Sequence, residues 1–190
     1  MSAYESSDDS CPLCIGETYG AGKEAPMDGN IDLTLDCVKD MPIIYGGAKD
    51  ADVNADITLN ITNGTFEKVF GGNNTSGAIT GSITVNVEEK GCQPIFIKEL
   101  YGGGYLAPYS IYGYEKDNSG NYVTETINGI VQRKPLTSGD SPQKDPRINI
   151  ISATRIDNIY GGGYQAKVVG SPRINVNMQE GTILAKYMDD

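Results

Sequence analysis

Carboxylates, four cysteines and twelve tyrosines are the side chains of this 190-residue chain that could do chemistry; it has no histidine. That absence removes Ser-His-Asp and Cys-His nucleophile systems and imidazole metal ligands. Asp50, Asp52 and Asp56 stand close together, and Asp28, Asp32 and Asp36 form a similar group upstream. Paired carboxylates can cleave a glycosidic bond, and grouped ones can bind calcium. Neither chemistry has a specific signature here. Asp32 alternates with Ile31 and Leu33, as a solvent-facing strand residue does, and the Gly-Asp nonapeptide of calcium-binding β-rolls is missing. The expectation is no catalytic residue, no metal and no cofactor.

Cys11-Pro-Leu-Cys14 has the spacing of redox sites and zinc ribbons, but Cys37 and Cys92 are single and far apart, and no βαβ setting surrounds the pair. Cys11 and Cys37 each lie eight residues before a tyrosine, Tyr19 and Tyr45, that opens a repeat. Equivalent positions in stacked repeats lie ~4.8 Å apart, within disulfide reach, so a Cys11–Cys37 bridge or a pair of stacked thiols is expected. Asn60, Asn63 and Asn73 match the N-glycosylation pattern, which arises easily in an Asn/Thr-rich repeat and is given no function.

The elements that must position these groups come from the repeat itself. Tyr19-Gly20, Tyr45-Gly46-Gly47, Phe70-Gly71-Gly72, Tyr101-Gly102-Gly103-Gly104 and Tyr160-Gly161-Gly162-Gly163 open successive units. A small residue follows six positions later (Ala25, Ala51, Ser76, Ala107, Ala166). Then comes an alternating run: Ile31-Leu33-Leu35, Ile57-Leu59-Ile61, Ile83-Val85-Val87, Ile148-Ile150 and Ile174-Val176-Met178. Alternation marks half-buried strands, and no unit of this size can bury its own apolar edge, so the units must stack. The predicted fold is all-β, a right-handed parallel β-helix of about six coils, with glycines at corners that need positive φ or close backbone approach. The glycine runs lack the following Lys-Ser/Thr and helix of a phosphate-binding loop.

The reading divides the chain into a polar lead-in (1–10), coils (11–104), a Tyr-rich insertion (105–146) and further coils (147–190), one domain overall. The insertion is expected to form a hairpin around Asp117-Asn118-Ser119-Gly120-Asn121, and its tyrosines, Tyr105, Tyr109, Tyr112, Tyr114 and Tyr122, are the candidate ligand contacts. The simpler reading is that the hairpin packs these rings against the side of the coils. A net charge of −10 and a pI near 4.4 disfavour nucleic acid and anionic membranes as partners. Residues 1–10 lack the pattern of a signal peptide, and no stretch approaches a membrane span. The repeat runs to the end of the sequence without a capping helix. A fragment of a longer protein is expected, with a free-standing small protein as the alternative; in either case open ends could self-associate.

The pattern aromatic-Gly-Gly-Gly, small residue, Ile-x-Val-x-Val, Gly-Thr-Ile, carried by Tyr45–Val69, Phe70–Val87 and Tyr160–Ile183, resembles the parallel β-helix repeats of large bacterial cell-surface or secreted proteins, adhesin-like in style. The resemblance implies an extracellular or cell-surface location, an architectural or adhesive role with glycans or another surface protein as partners, and no catalytic residues. The alternative is a carbohydrate-binding module or polysaccharide-active β-helix enzyme with an acidic and aromatic groove. It would need carboxylates of neighbouring coils to converge near the insertion's tyrosines.

Overall fold

The computed structural model describes residues 15–36, 38, 41–90 and 93–176. The described residues are all-β, and most of their strands lie in parallel sheets, an arrangement compatible with a β-helix-like solenoid. One five-stranded parallel sheet takes the order β1 (Glu17–Tyr19), β4 (Ile43–Tyr45), β7 (Gly64–Phe70), β9 (Ile95–Tyr101) and β14 (Arg155–Tyr160). The second takes the order β3 (Ile31–Leu35), β6 (Ile57–Ile61), β8 (Ile83–Glu88), β13 (Arg147–Ser152) and β16 (Arg173–Val176). A third side is built from short pairs, β2 (Met27–Asp28) with β5 (Val53–Asn54) and β10 (Tyr109–Ser110) with β15 (Val168–Val169).

The alternation sets the register. Ile57, Leu59 and Ile61 pair with Ile83, Val85 and Val87, and all six are at most 1% exposed, while Thr58 and Asn60 between them face outward. Slipping this pairing by one residue would turn every isoleucine to solvent, so the buried face fixes the register. Of the small residues six positions after the opening aromatics, Ala51 and Ala107 sit inside at 6% and 2% exposure, Ser76 and Ala166 are half-buried, and Ala25 is exposed.

The glycine corners work by close approach, not by positive φ. A Cβ placed on Gly71 would stand 2.7 Å from the carbonyl oxygen of Gly102, and one on Gly102 would stand 2.5 Å from that of Gly161. Successive corners therefore touch backbone to backbone, leaving no room for a side chain. The opening aromatics stack above these corners: Tyr19–Tyr45, Tyr45–Phe70, Phe70–Tyr101 and Tyr101–Tyr160 have centroids 4.9, 5.1, 4.9 and 4.8 Å apart. Interplanar angles of 9–13° make this a near-parallel column set by the strand spacing.

The insertion begins later than the sequence suggests. Tyr109 and Ser110 pair with Val168 and Val169, so Tyr105 to Ser110 run with the coils, and the break in register lies between Ser110 and Arg147. The expected turn does close, since Asp117 N–H donates to Asn121 O (2.9 Å) and Lys116 bridges Tyr122. The longer hairpin is a second one, β11 (Thr124–Ile127) with β12 (Ile130–Arg133), around Asn128 (φ 52°) and Gly129 (φ 80°). Positive φ at both central residues is the turn that suits the twist of paired strands, and Asn-Gly is its usual sequence.

Candidate functional site

Six aspartates stood out in the sequence, and each accepts a hydrogen bond from the coil that follows. Asp28 accepts from Asn54 Nδ2 (2.9 Å), Asp32 from Asn60 Nδ2 (2.9 Å) and Asp36 from Asn63 Nδ2 (2.7 Å) and Thr62 Oγ1 (3.0 Å). One coil on, Asp50 accepts from Ser76 Oγ, Asp52 from Ala78 N–H (2.7 Å), and Asp56 from Ser82 N–H and Oγ (2.7 Å each). Those two bonds from Ser82 hold the Asp56 carboxyl below the usual range. The acids are thus spread along the stack, and among the described residues no group of three or more His, Cys, Asp or Glu could hold a metal ion.

Asparagines continue the same bonding. Asn86 donates to Asn60 (2.8 Å), Asn149 to Asn86 (2.9 Å) and Asn175 to Asn149 (2.8 Å), an amide ladder on the outer face of the second sheet. Asn63 and Asn73 are fully buried. Asn73 Oδ1 accepts from Ala48 N–H (2.8 Å) while its amide donates to Ala51 O (3.0 Å), so the side chain ties two corners together. The glycosylation pattern at Asn63 and Asn73 therefore coincides with internal structural amides.

The five tyrosines expected to touch a ligand have different fates. Tyr109 is 0% and Tyr114 is 5% exposed, so both belong to the interior. Tyr114 fills a gap in the third side, between Ile79 of one coil and Pro108 of the next. Its Oη accepts from Ile79 N–H (3.0 Å) and donates to Pro108 O (2.9 Å), taking the place of strand pairing. Tyr109 Oη donates to Gly81 O (3.0 Å). Burial pushes both phenols well above their ordinary pKa. Tyr105 stacks on Tyr164 (5.0 Å) and meets Phe70 edge-on (5.5 Å), a second column beside the main one. Tyr112 is half-buried against the apolar cluster around Tyr109. Tyr122 meets Tyr114 edge-on at 6.0 Å, with Lys116 and Arg133 over its ring.

Further contacts moor the insertion to the coils. Arg133 faces both carboxylate oxygens of Asp52 (3.3 and 3.4 Å), Gln132 Nε2 donates to Leu106 O (2.6 Å), and Ser110 Oγ donates to Leu136 O (2.6 Å). Of the candidate tyrosines, Tyr105, Tyr112 and Tyr122 are half-buried. All four cysteines, and with them the expected Cys11–Cys37 bridge, lie outside the described residues.

A feature missed in the sequence reading lies on the outer face of the first sheet. Phe96 occupies a strand position between buried Ile95 and Ile97, where alternation calls for a polar residue, and it is 38% exposed. Its partners across the sheet are Thr65 and Arg155. The signal was available in the run Ile95-Phe96-Ile97-Lys98, which breaks the apolar–polar alternation. Comparison of the chain with protein-family models, with curated proteins and with solved structures finds no match.

Proposed function

We propose that the chain is a non-catalytic structural or adhesive segment of a bacterial surface or secreted repeat protein, wound as a right-handed parallel β-helix of about six coils. The observation that carries this reading is the aromatic column Tyr19–Tyr45–Phe70–Tyr101–Tyr160, in which each coil places the same kind of ring on the one below. Identical side chains bonded coil to coil make a stiff stack whose stability accumulates with each unit, which suits a spacer or a display surface. The aspartates support the same reading, because each is engaged with the next coil, and the two nearest the insertion are also tied up: Asp52 by Ala78 N–H and Arg133, and Asp56 by Ser82 N–H and Oγ.

The location this reading requires is extracellular or on the cell surface, with glycans or another surface protein as partners. Antibodies raised against residues 15–176, applied to intact cells of the source bacterium and to its medium, test it. Signal on unbroken cells or in the medium is the expected outcome. Signal released only by lysis overturns the proposal.

A further inference from the structure

The first sheet carries a trough on its outer face that runs along the stack, across the strands. One depression of about 270 Å³ is lined by Thr65, Glu67, Phe96, Lys98, Arg155 and Asp157, among others. A second, of about 190 Å³, is lined by Met41, Pro42, Thr65 and Glu67. The two share Thr65 and Glu67, so together they extend from the edge of β4 across β7 and β9 to β14. The exposed ring of Phe96 forms an apolar patch on the floor. The charges on the walls are already coupled: Lys98 Nζ lies 2.9 Å from Glu67 Oε2, and Arg155 Nε lies 2.6 Å from Asp157 Oδ1.

From this geometry we infer that the trough binds a linear, uncharged oligosaccharide lying along the stack, with one sugar face on Phe96. Three observations select that ligand class. An aromatic face beside polar groups that both donate and accept is what a sugar ring needs, since its C–H face is apolar and its edge carries hydroxyls. Wall charges paired into neutral couples, on a chain of net charge −10, give no attraction for a polyanion. Beneath the middle of the trough β7 and β9 are paired on both sides, so an extended peptide lying over Phe96 would find no free backbone partner there; β14 ends the sheet among the described residues.

The inference rests on the adhesive part of the proposed function, and the antibody experiment decides that part without reference to any glycan. Calorimetric titration of the full chain with uncharged hexasaccharides of glucose, mannose, galactose and xylose tests the trough, with oligogalacturonate as the charged comparison. At least one uncharged chain should bind, with affinity rising from the disaccharide and levelling near the tetrasaccharide, one sugar for each strand crossed. Phe96→Ala should weaken binding about tenfold or more, and Phe96→Tyr should restore it, with thermal melts unchanged because the ring faces outward. Arg155→Gln, outside the apolar floor, should weaken binding without altering the melt. Absence of binding by every uncharged hexasaccharide at millimolar concentration overturns the inference, as does tighter binding of oligogalacturonate. So does binding that ignores Phe96→Ala and Arg155→Gln but disappears with Tyr112→Ala in the insertion.

Discussion

The coils and the insertion solve the same problem in opposite ways. Each must pair backbone groups that folding takes out of water. In the coils most partners are backbone groups at matching positions one unit away, as when Gly46 N–H meets Phe70 O and Gly71 N–H meets Tyr101 O. Between Ser110 and Arg147 the backbone pairs mostly with itself, as in β11 with β12, and single side chains supply much of the attachment to the coils: Tyr114 to Ile79 and Pro108, Gln132 to Leu106, Arg133 to Asp52. The coils distribute their stability over many like contacts. The insertion concentrates its attachment in a few unlike ones, and it can be loosened at one residue.

Alkali should break both regions together. Burial pushes the phenols of Tyr45 in the coils, Tyr109 beside the insertion and Tyr114 within it far above their ordinary value. A group whose folded pKa is raised contributes stability in full below its unfolded pKa, ~10 for tyrosine, and loses it as pH climbs toward the folded value. The chain should therefore stay folded to about pH 10 and then unfold cooperatively. A steep rise in tyrosinate absorbance coincident with loss of β-sheet circular dichroism is the expected result. Gradual ionisation of these phenols with the sheet signal intact would show that they are not interior.

The coils should be the costlier place to remove a ring. Phe70 is fully buried and stacks between Tyr45 and Tyr101. Phe70→Ala leaves a cavity in the middle of the column and should lower unfolding stability by about 3–5 kcal/mol, read by denaturant titration. Because stacked units depend on their neighbours, the loss should also appear as faster amide exchange in β4 and β9. Loss confined to β7 would mean that the coils are less coupled than the column implies.

Tyr114→Phe asks the insertion's version of that question with less at stake. It keeps the ring but removes the oxygen, leaving Ile79 N–H and Pro108 C=O buried without a partner. The expected cost is about 1–3 kcal/mol, accompanied by faster exchange of the Ile79 amide than of β6 or β8 amides. An unchanged melt would mean that the third side pairs without the phenol.

This division also explains what could be read from the sequence. Alternation in Ile57-Leu59-Ile61 and Ile83-Val85-Val87 specifies which residues face in, and the recurring aromatic specifies which unit follows which, so the parallel stacking was legible. The purpose of the doubled glycines was half legible, because close approach and positive φ leave the same mark in a sequence. Non-repeating parts gave less. The tyrosines at 109 and 114 look like those at 105 and 122, and only the gap beside Ile79 distinguishes a buried plug from a half-exposed ring. The Asn128-Gly129 hairpin carried a clear local signal that was overshadowed by the polar run at 117–121. Phe96 was a single residue out of pattern, visible only once the neighbouring coils set Thr65 and Arg155 beside it.

The smallest expected effect is the most specific to the insertion. Arg133 and Asp52 form an ion pair at 3.3 Å across the boundary between the hairpin and the coils, with the two side chains 35% and 15% exposed. Partial exposure weakens the pair, and Asp52 keeps the Ala78 N–H (2.7 Å) as a second partner, so no uncompensated charge remains when the arginine is removed. Arg133→Ala should therefore cost about 0–1 kcal/mol of global stability. Its effect should be local: faster amide exchange in β11 and β12, and raised susceptibility of the Ile127–Ile130 turn to protease. Arg133→Lys restores the charge but not the two-point contact with Asp52, and should recover only part of the protection. If Arg133→Ala instead destabilises the coils as deeply as Phe70→Ala, the insertion is an integral layer of the stack. If it changes neither exchange nor cleavage, the tyrosines alone hold the hairpin in place.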